Sequence, residues 1–288
     1  MDDAEFVILG SAQDGGLPHA GCLCANCRAA RRDWTSRRLP ASAGIVAGDR
    51  LALIDATSAF EEQYHRLWER SKRSRDYEGE RYGAPEIVIL THAHTGHYTG
   101  IWQLDRSVLA ARGTRVLSPP KMHAFLSTQE PWTGMVREGF IALEPLPLNT
   151  RFELLPGVSL TAIEVPHRAE WDTDTVALLI NGPNSSALYL PDIDNWDEWQ
   201  HDIATMVAGV DAAFLDGCFW AAPTSRNVPH PPVVETLECL QPLVDAGKRV
   251  SFIHLNHSNP LCEPASAEHQ QVIERGFQVG REGDGVKL

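Results

Sequence analysis

Apolar residues in this chain gather into short, β-branched runs bounded by turn signals, with longer stretches between them in which apolar positions recur at helical spacing. The short runs predict strands at Glu5 to Leu9, Ala43 to Val46, Leu51 to Ile54, Glu86 to Leu90, Thr114 to Leu117, Val158 to Val165, Val176 to Ile180, Ala187 to Leu190, Ala212 to Leu215 and Val250 to His254. Helices are predicted over Phe60 to Ser71, Trp196 to Val207, Val233 to Ala246 and Ala265 to Arg275, and the polar stretch Lys72 to Gly83 reads as an exposed loop. This is mixed α/β order, with strands in two halves and helices outside them. A chain of 288 residues without a repeat or a low-complexity linker suits one large domain spanning 1–288.

The predicted strands also organise the polar chemistry. Glu86 to Leu90 suits a buried strand that delivers the loop Thr91 to Gly100 at its C-terminal end. His167, Asp192, Asp216 and His254 likewise fall where predicted strands end, so loops on one sheet edge can bring them to one point.

Charge and composition narrow the function classes. A formal charge of -13 argues against broad nucleic-acid binding, which needs surplus cations against phosphate. The one basic run, Arg28 to Arg38, reads as a solvated helix face. There is no long apolar run and no basic, apolar leader, so no membrane span is expected and the cytoplasm is the default location. The expected partner is a small-molecule substrate; the oligomeric state stays open, a homodimer included.

Cys22, Cys24 and Cys27 are tightly clustered, whereas Cys218, Cys239 and Cys262 are scattered, which points to a metal knuckle at 22–27 and not to a disulfide framework. Three thiolates in one tight loop leave a tetrahedral zinc site one ligand short. The most informative stretch is Thr91 to Gly100, with His92, His94 and His97 in one loop. Neutral imidazole is a common ligand for zinc, manganese and iron, and three such rings this close are hard to explain by packing.

These residues resemble the metallo-β-lactamase superfamily, whose signature is His-x-His-x-Asp-His followed by a later His, Asp and His. The opening Leu9-Gly10-Ser11-Ala12-Gln13-Asp14-Gly15-Gly16, the run Cys22-Leu23-Cys24-Ala25-Asn26-Cys27 and the late His254-Leu255-Asn256-His257-Ser258-Asn259-Pro260 are similar to the branch holding the pyrroloquinoline quinone biosynthesis protein B family and the phosphoribosyl cyclic phosphate phosphodiesterases. The resemblance implies a four-layer αββα sandwich. It implies a first metal site of His92, His94 and His167, a bridging Asp192, and a second site served by His97 and His254. It also implies a Cys3His structural zinc completed by His257; His230, in Pro229-His230-Pro231-Pro232, is a reserve ligand but reads first as part of the substrate mouth. Where the superfamily places aspartate, this chain has Gly96. One metal only, a weaker second metal, or a replacement carboxylate all remain open, with Asp194 and Asp216 as the replacements expected. Asp14, in the glycine-rich turn, is read either as approaching the metals or as a turn residue.

Such a site holds one or two divalent ions (Zn2+, Mn2+ or Fe2+), and the natural chemistry is hydrolysis by metal-activated water on a phosphodiester, lactone, thioester or similar ester-type substrate. Asp192, Asp216 and His230 are the expected catalytic residues, with Asp216 or His230 sending a proton to the leaving group. Arg168, Glu170, Trp171 and Tyr98 are expected to face substrate. The alternatives are an iron-dependent oxygenase or hydroxylase related to quinone cofactor biosynthesis, and a binding protein whose site has decayed.

Overall fold

Along a strand successive side chains point to opposite faces, and here both faces of most strands are apolar, so each sheet must be covered on both sides. The computed structural model describes residues 4–75, 77–168, 170–222 and 229–288. Its strands are β1 (Ala4–Gly10), β2 (Ser42–Ala47), β3 (Arg50–Ile54), β4 (Ile87–Ile89), β5 (Thr114–Ser118), β6 (Ile141–Pro145), β7 (Phe152–Leu155), β8 (Val158–Glu164), β9 (Val176–Asn181), β10 (Ser186–Leu190), β11 (Ala212–Asp216), β12 (Arg249–Ile253), β13 (Gln278–Val279) and β14 (Gly285–Lys287). Its α-helices are α1 (Ala25–Arg32), α2 (Phe60–Glu69), α3 (Thr95–Tyr98), α4 (Pro120–Leu126), α5 (Trp132–Arg137), α6 (Ile203–Ala208), α7 (Val233–Asp245) and α8 (Ala267–Glu274).

The strands form two seven-stranded sheets, ordered β14-β1-β2-β3-β4-β5-β6 and β13-β12-β11-β10-β9-β8-β7. In the first, β3 to β6 run parallel; in the second, β10 to β13 do. Period-two alternation builds the layers. Phe6 and Ile8 of β1 meet Tyr189 of β10 and Phe214 of β11 between the sheets, with the Phe6 ring 5.1 Å from that of Phe214. Val7 and Leu9 point the other way, into a cluster with Phe60, Tyr64 and Leu67 of α2. On the far side, Leu188, Leu190, Ala213 and Leu215 pack against Val207 of α6, Leu237 and Leu240 of α7 and Val272 of α8. Helix, sheet, sheet, helix is the α/β metallo-β-lactamase sandwich, and each large side chain in it contributes about 1.5–3 kcal/mol through burial.

Two differences from the sequence reading have physical causes. The helix expected over Trp196 to Val207 starts only at Ile203, because Asp202 caps it by accepting the Thr205 N–H. The indoles of Trp196 and Trp199 are instead tied down, donating to Thr236 and to the Glu164 carbonyl. The unpredicted strands β6, β7, β13 and β14 are edge or near-edge strands, where an apolar alternation is short or absent.

Candidate metal centre

The histidine loop leaves the sheet at β4, a fully buried strand held between β3 and β5 and parallel to both. Asp55, just after β3, is fully buried with a left-handed backbone, φ 60°. Its carboxylate accepts the Thr91 N–H at 2.8 Å, the Thr91 hydroxyl at 2.9 Å and His97 Nδ1 at 2.8 Å. The Thr91 hydroxyl has one proton and gives it to Asp55, so its lone pairs receive the Nδ1–H of His92 at 2.9 Å. Asp194 does the same for His167, whose Nδ1 lies 2.6 Å from its carboxylate. Three imidazoles therefore have their Nδ1 protons committed and present Nε2 lone pairs inward.

Two of those lone pairs, from His92 and His167, meet His94 Nδ1 at one point. His92 Nε2 and His94 Nδ1 are 3.0 Å apart, and His94 Nδ1 and His167 Nε2 are 3.2 Å apart. Asp192 Oδ2 lies 3.3, 3.4 and 3.2 Å from the same atoms of His92, His94 and His167. A tetrahedral ion with bonds of about 2.0–2.1 Å sets its donors about 3.3–3.4 Å apart, so the four atoms fit one divalent cation.

A second cup adjoins the first. His97 Nε2 and His254 Nε2 are 3.4 Å apart, and Asp192 Oδ2 is 3.6 Å from His254 Nε2, which makes that oxygen common to both cups. The carboxylate facing His97 and His254 belongs to Asp14, with Oδ1 3.2 and 3.5 Å from their Nε2 atoms. Of the two expected replacements, Asp216 gathers with Asp192, His230 and His254 but without His97, and Asp194 belongs to neither cup. Asp194 is occupied by His167 and the Arg168 N–H, and Asp216 by Ile193 N–H, Cys218 N–H and His230. The Oδ1 atoms of Asp14 and Asp192 are buried with no hydrogen-bond partner. Carboxylate oxygens this close to imidazole nitrogens call for positive charge between them, from a bound cation or a proton on a ring.

Electrostatics point the same way. Burial and the neighbouring His97 hold His92 well below the ordinary imidazole range. Burial opposes charge on His167, yet Asp192 and Asp194 outweigh it and push that ring up to about 10. Burial works against ionised Asp192 as well, and His254 and His167 overcome it to hold the carboxylate well below its usual range. The pocket calls for positive charge among its carboxylates.

Beside the cups, His230 Nδ1 is 2.7 Å from Asp216 and 3.3 Å from Asp192 Oδ1. His230 and His254 both have left-handed backbones, φ 138° and 57°. His230 lines a cleft of about 470 Å3 with Arg168, Asp194, Trp196, Pro231 and Glu235. Glu170 reaches the rim of the first cup, 3.5 Å from His94 Nε2, and the exposed Trp171 ring stacks on Phe125. Tyr98 is buried, edge-on to Phe125 and Trp132. The expected substrate residues thus divide between the cleft (Arg168), the rim (Glu170, Trp171) and the packing beneath it (Tyr98).

At the N-terminal loop, Cys22, Cys24, Cys27 and His257 bring their donor atoms together. His257 Nδ1 lies 3.5 Å from Cys22 Sγ and 3.6 Å from Cys24 Sγ, matching the separation of about 3.6 Å for S and N donors on one tetrahedral zinc. Cys24 also caps α1, its sulfur accepting the Cys27 N–H. His230 lines the cleft beside the histidine cups, away from the cysteines, as its reading at a substrate mouth expects. Sequence reasoning missed Asp55 altogether; its one signal was an acidic residue directly after an apolar strand.

Comparison with known proteins matches this architecture. The profile described as Beta-lactamase superfamily domain covers residues 50–255. Coenzyme PQQ synthesis protein B of Methylobacterium radiotolerans is 28% identical across 98% of this chain and 99% of its own, and that of Ruegeria pomeroyi 23% identical across 97% and 98%. Zn2+-bound PqqB from Methylobacterium extorquens superposes with a TM-score of 0.80 at 23% identity, over 99% of this chain and all (100%) of that one. A diphosphatase from the PhnP family superposes with a TM-score of 0.71 at 21% identity, over 99% and 97%. With paired histidine and carboxylate cups at the edge of two facing sheets and the profile matched over most of its length, this chain belongs to the metallo-β-lactamase superfamily and is PqqB-like within it.

Proposed function

We propose that the protein is a metal-dependent hydrolase of small ester-type substrates such as phosphodiesters, lactones or thioesters. The observation that carries this reading is the pair of donor sets sharing Asp192 Oδ2 directly beside the His230–Asp216 pair. His92, His94, His167 and Asp192 would hold the first ion, and His97, His254 and Asp192 would contribute to a second. When bound, divalent cations there supply Lewis acidity and make a coordinated water more acidic.

The chain's own residues do the rest. Asp55, Thr91 and Asp194 fix the tautomers of His97, His92 and His167, so each ring offers a lone pair without reorganising. Asp216 anchors His230 through Nδ1, placing an imidazole between Asp192 and the cleft, where it can pass a proton to a leaving group. A cleft of about 470 Å3 suits a small molecule, and Arg168 at its wall offers a cation for an anionic substrate group. Cys22, Cys24, Cys27 and His257 would hold a structural zinc away from the chemistry.

The oxidative alternative draws on the resemblance to the quinone-cofactor family, and the missing carboxylate at position 96 adds to it by suggesting a single-metal iron site; only that second ground is touched by the structure. Asp14 brings a carboxylate to that position and weakens this ground. The test is a panel of ester, phosphodiester and lactone substrates with metal analysis of wild type and His94→Ala. Hydrolysis by the wild type should fall about 1000-fold or more in the variant, about 4 kcal/mol of transition-state stabilisation, while knuckle zinc is retained. Turnover untouched by His94→Ala, or oxygen uptake in place of hydrolysis, would defeat the proposal.

A further inference from the structure

Gly96 stands where a ligand carboxylate is expected, and its surroundings give a steric reason for it. A Cβ built on Gly96 would lie 2.4 Å from Asp14 Cβ, 2.5 Å from its Cα and 2.8 Å from its Cγ. Gly96 has no left-handed φ and sits inside α3, where alanine would favour the helix by about 1 kcal/mol. The demand for glycine is therefore spatial, and what fills the space is Asp14.

Asp14 enters as a ligand would. Its Oδ1 completes a triangle with His97 Nε2 and His254 Nε2, with edges of 3.2, 3.5 and 3.4 Å, and that oxygen is buried without a hydrogen-bond partner. The turn that carries it is also fastened to the segment that carries His254. Gln13 N–H donates to the Leu255 carbonyl at 2.9 Å, and Asn256 Nδ2 donates to Gln13 Oε1 at 2.6 Å. Two donors from opposite ends of the sequence thus arrive as one sutured unit.

We propose that Asp14 is the carboxylate ligand of the second cation site, relocated from the histidine loop to the N-terminal turn, and that Gly96 is the clearance this relocation requires. The inference rests on the metal-dependent reading above. It couples two positions: an aspartate at 96 and an aspartate at 14 cannot coexist, and either one alone completes the site.

The test is zinc stoichiometry of the full chain after reconstitution and dialysis, with far-ultraviolet circular dichroism to confirm folding. Wild type should hold about three zinc ions per chain, and Asp14→Asn about two, its second site weakened at least about 100-fold. Gly96→Ala should also lose about one ion, by pushing Asp14 aside. The exchange Asp14→Gly with Gly96→Asp should return the count to about three. Full stoichiometry in both Asp14→Asn and Gly96→Ala would overturn the assignment while leaving the metal-dependent reading intact. An exchange variant that folds but stays one ion short would overturn the relocation. A wild type that binds zinc only at the cysteine knuckle would instead refute the metal-centre reading itself, and this inference with it.

Discussion

Replacing Cys24 with serine removes one of the donors of the proposed zinc knuckle that would hold the N-terminal loop to the segment after β12, and the size of the effect can be worked out. A zinc shared by Cys24 and His257 crosslinks residues 233 positions apart. On the chain-entropy relation, a loop of that length removes about 18 cal/mol/K from the unfolded ensemble, or about 5 kcal/mol at 25 °C. For 288 residues, with an unfolding entropy of about 2.1 cal/mol/K each, that corresponds to a fall in melting temperature of about 8 °C. Because metal binding and folding are linked, zinc content and stability should fall together. The assay is calorimetry of the zinc-loaded wild type and Cys24→Ser beside metal analysis, with Cys239→Ser as control, since Cys239 is exposed and outside the cluster. If Cys24→Ser keeps its full zinc content and melts within about 2 °C of wild type, the crosslink does not exist and the argument from donor distances is wrong.

Two further predictions concern titration. Burial pushes the Cys262 thiol up to about 11 against a partly offsetting Arg38, so it stays neutral and unreactive at pH 8. Iodoacetamide on the zinc-loaded native protein should label Cys239 and spare Cys218 and Cys262, with labelling of all six only after denaturation and chelation, as read by intact mass. In the metal-free protein, burial opposes charge on His230 but Asp216 outweighs it and raises the imidazole to about 9. A raised folded-state value contributes stability that is fully present below the unfolded value of about 6.5 and lost as pH climbs through about 9, here about 3 kcal/mol. Urea denaturation in chelator at pH 6 and pH 10 should show this loss in wild type and not in His230→Gln; equal losses in both would assign the effect elsewhere.

Most of the sandwich was legible because its central strands are buried on both faces and rich in β-branched residues, as in Ile87–Ile89 and Val176–Asn181. Edge strands such as Ile141–Pro145 bury little and leave no such trace. The imidazoles of the two cups were legible from spacing, since His92, His94 and His97 share a loop and His167 and His254 follow strands. Of the carboxylates, Asp192 was legible at a strand end, Asp14 only as one of two readings, and Asp55 not at all. Asp14 and Asp55 act across distances of 83 and 42 residues, from His97 in each case, that only the packed sheets close. The vacancy at position 96 was visible in the sequence, but which aspartate answered it depended on the room left around a missing Cβ.

The left-handed backbones of Asp55, His230 and His254 carry a different implication. Residues with side chains avoid such conformations, at a cost on the order of 1–3 kcal/mol each, and glycine would relieve it. Glycine at Asp55 or His230 would also forfeit the hydrogen bonds that Asp55 accepts from Thr91 and His97 and the His230–Asp216 pair, so the strain persists because these contacts outweigh it. Directed evolution scored only on heat tolerance would therefore keep both residues for their bonds, whether or not cations are retained, and a campaign of that kind has to screen for cations separately.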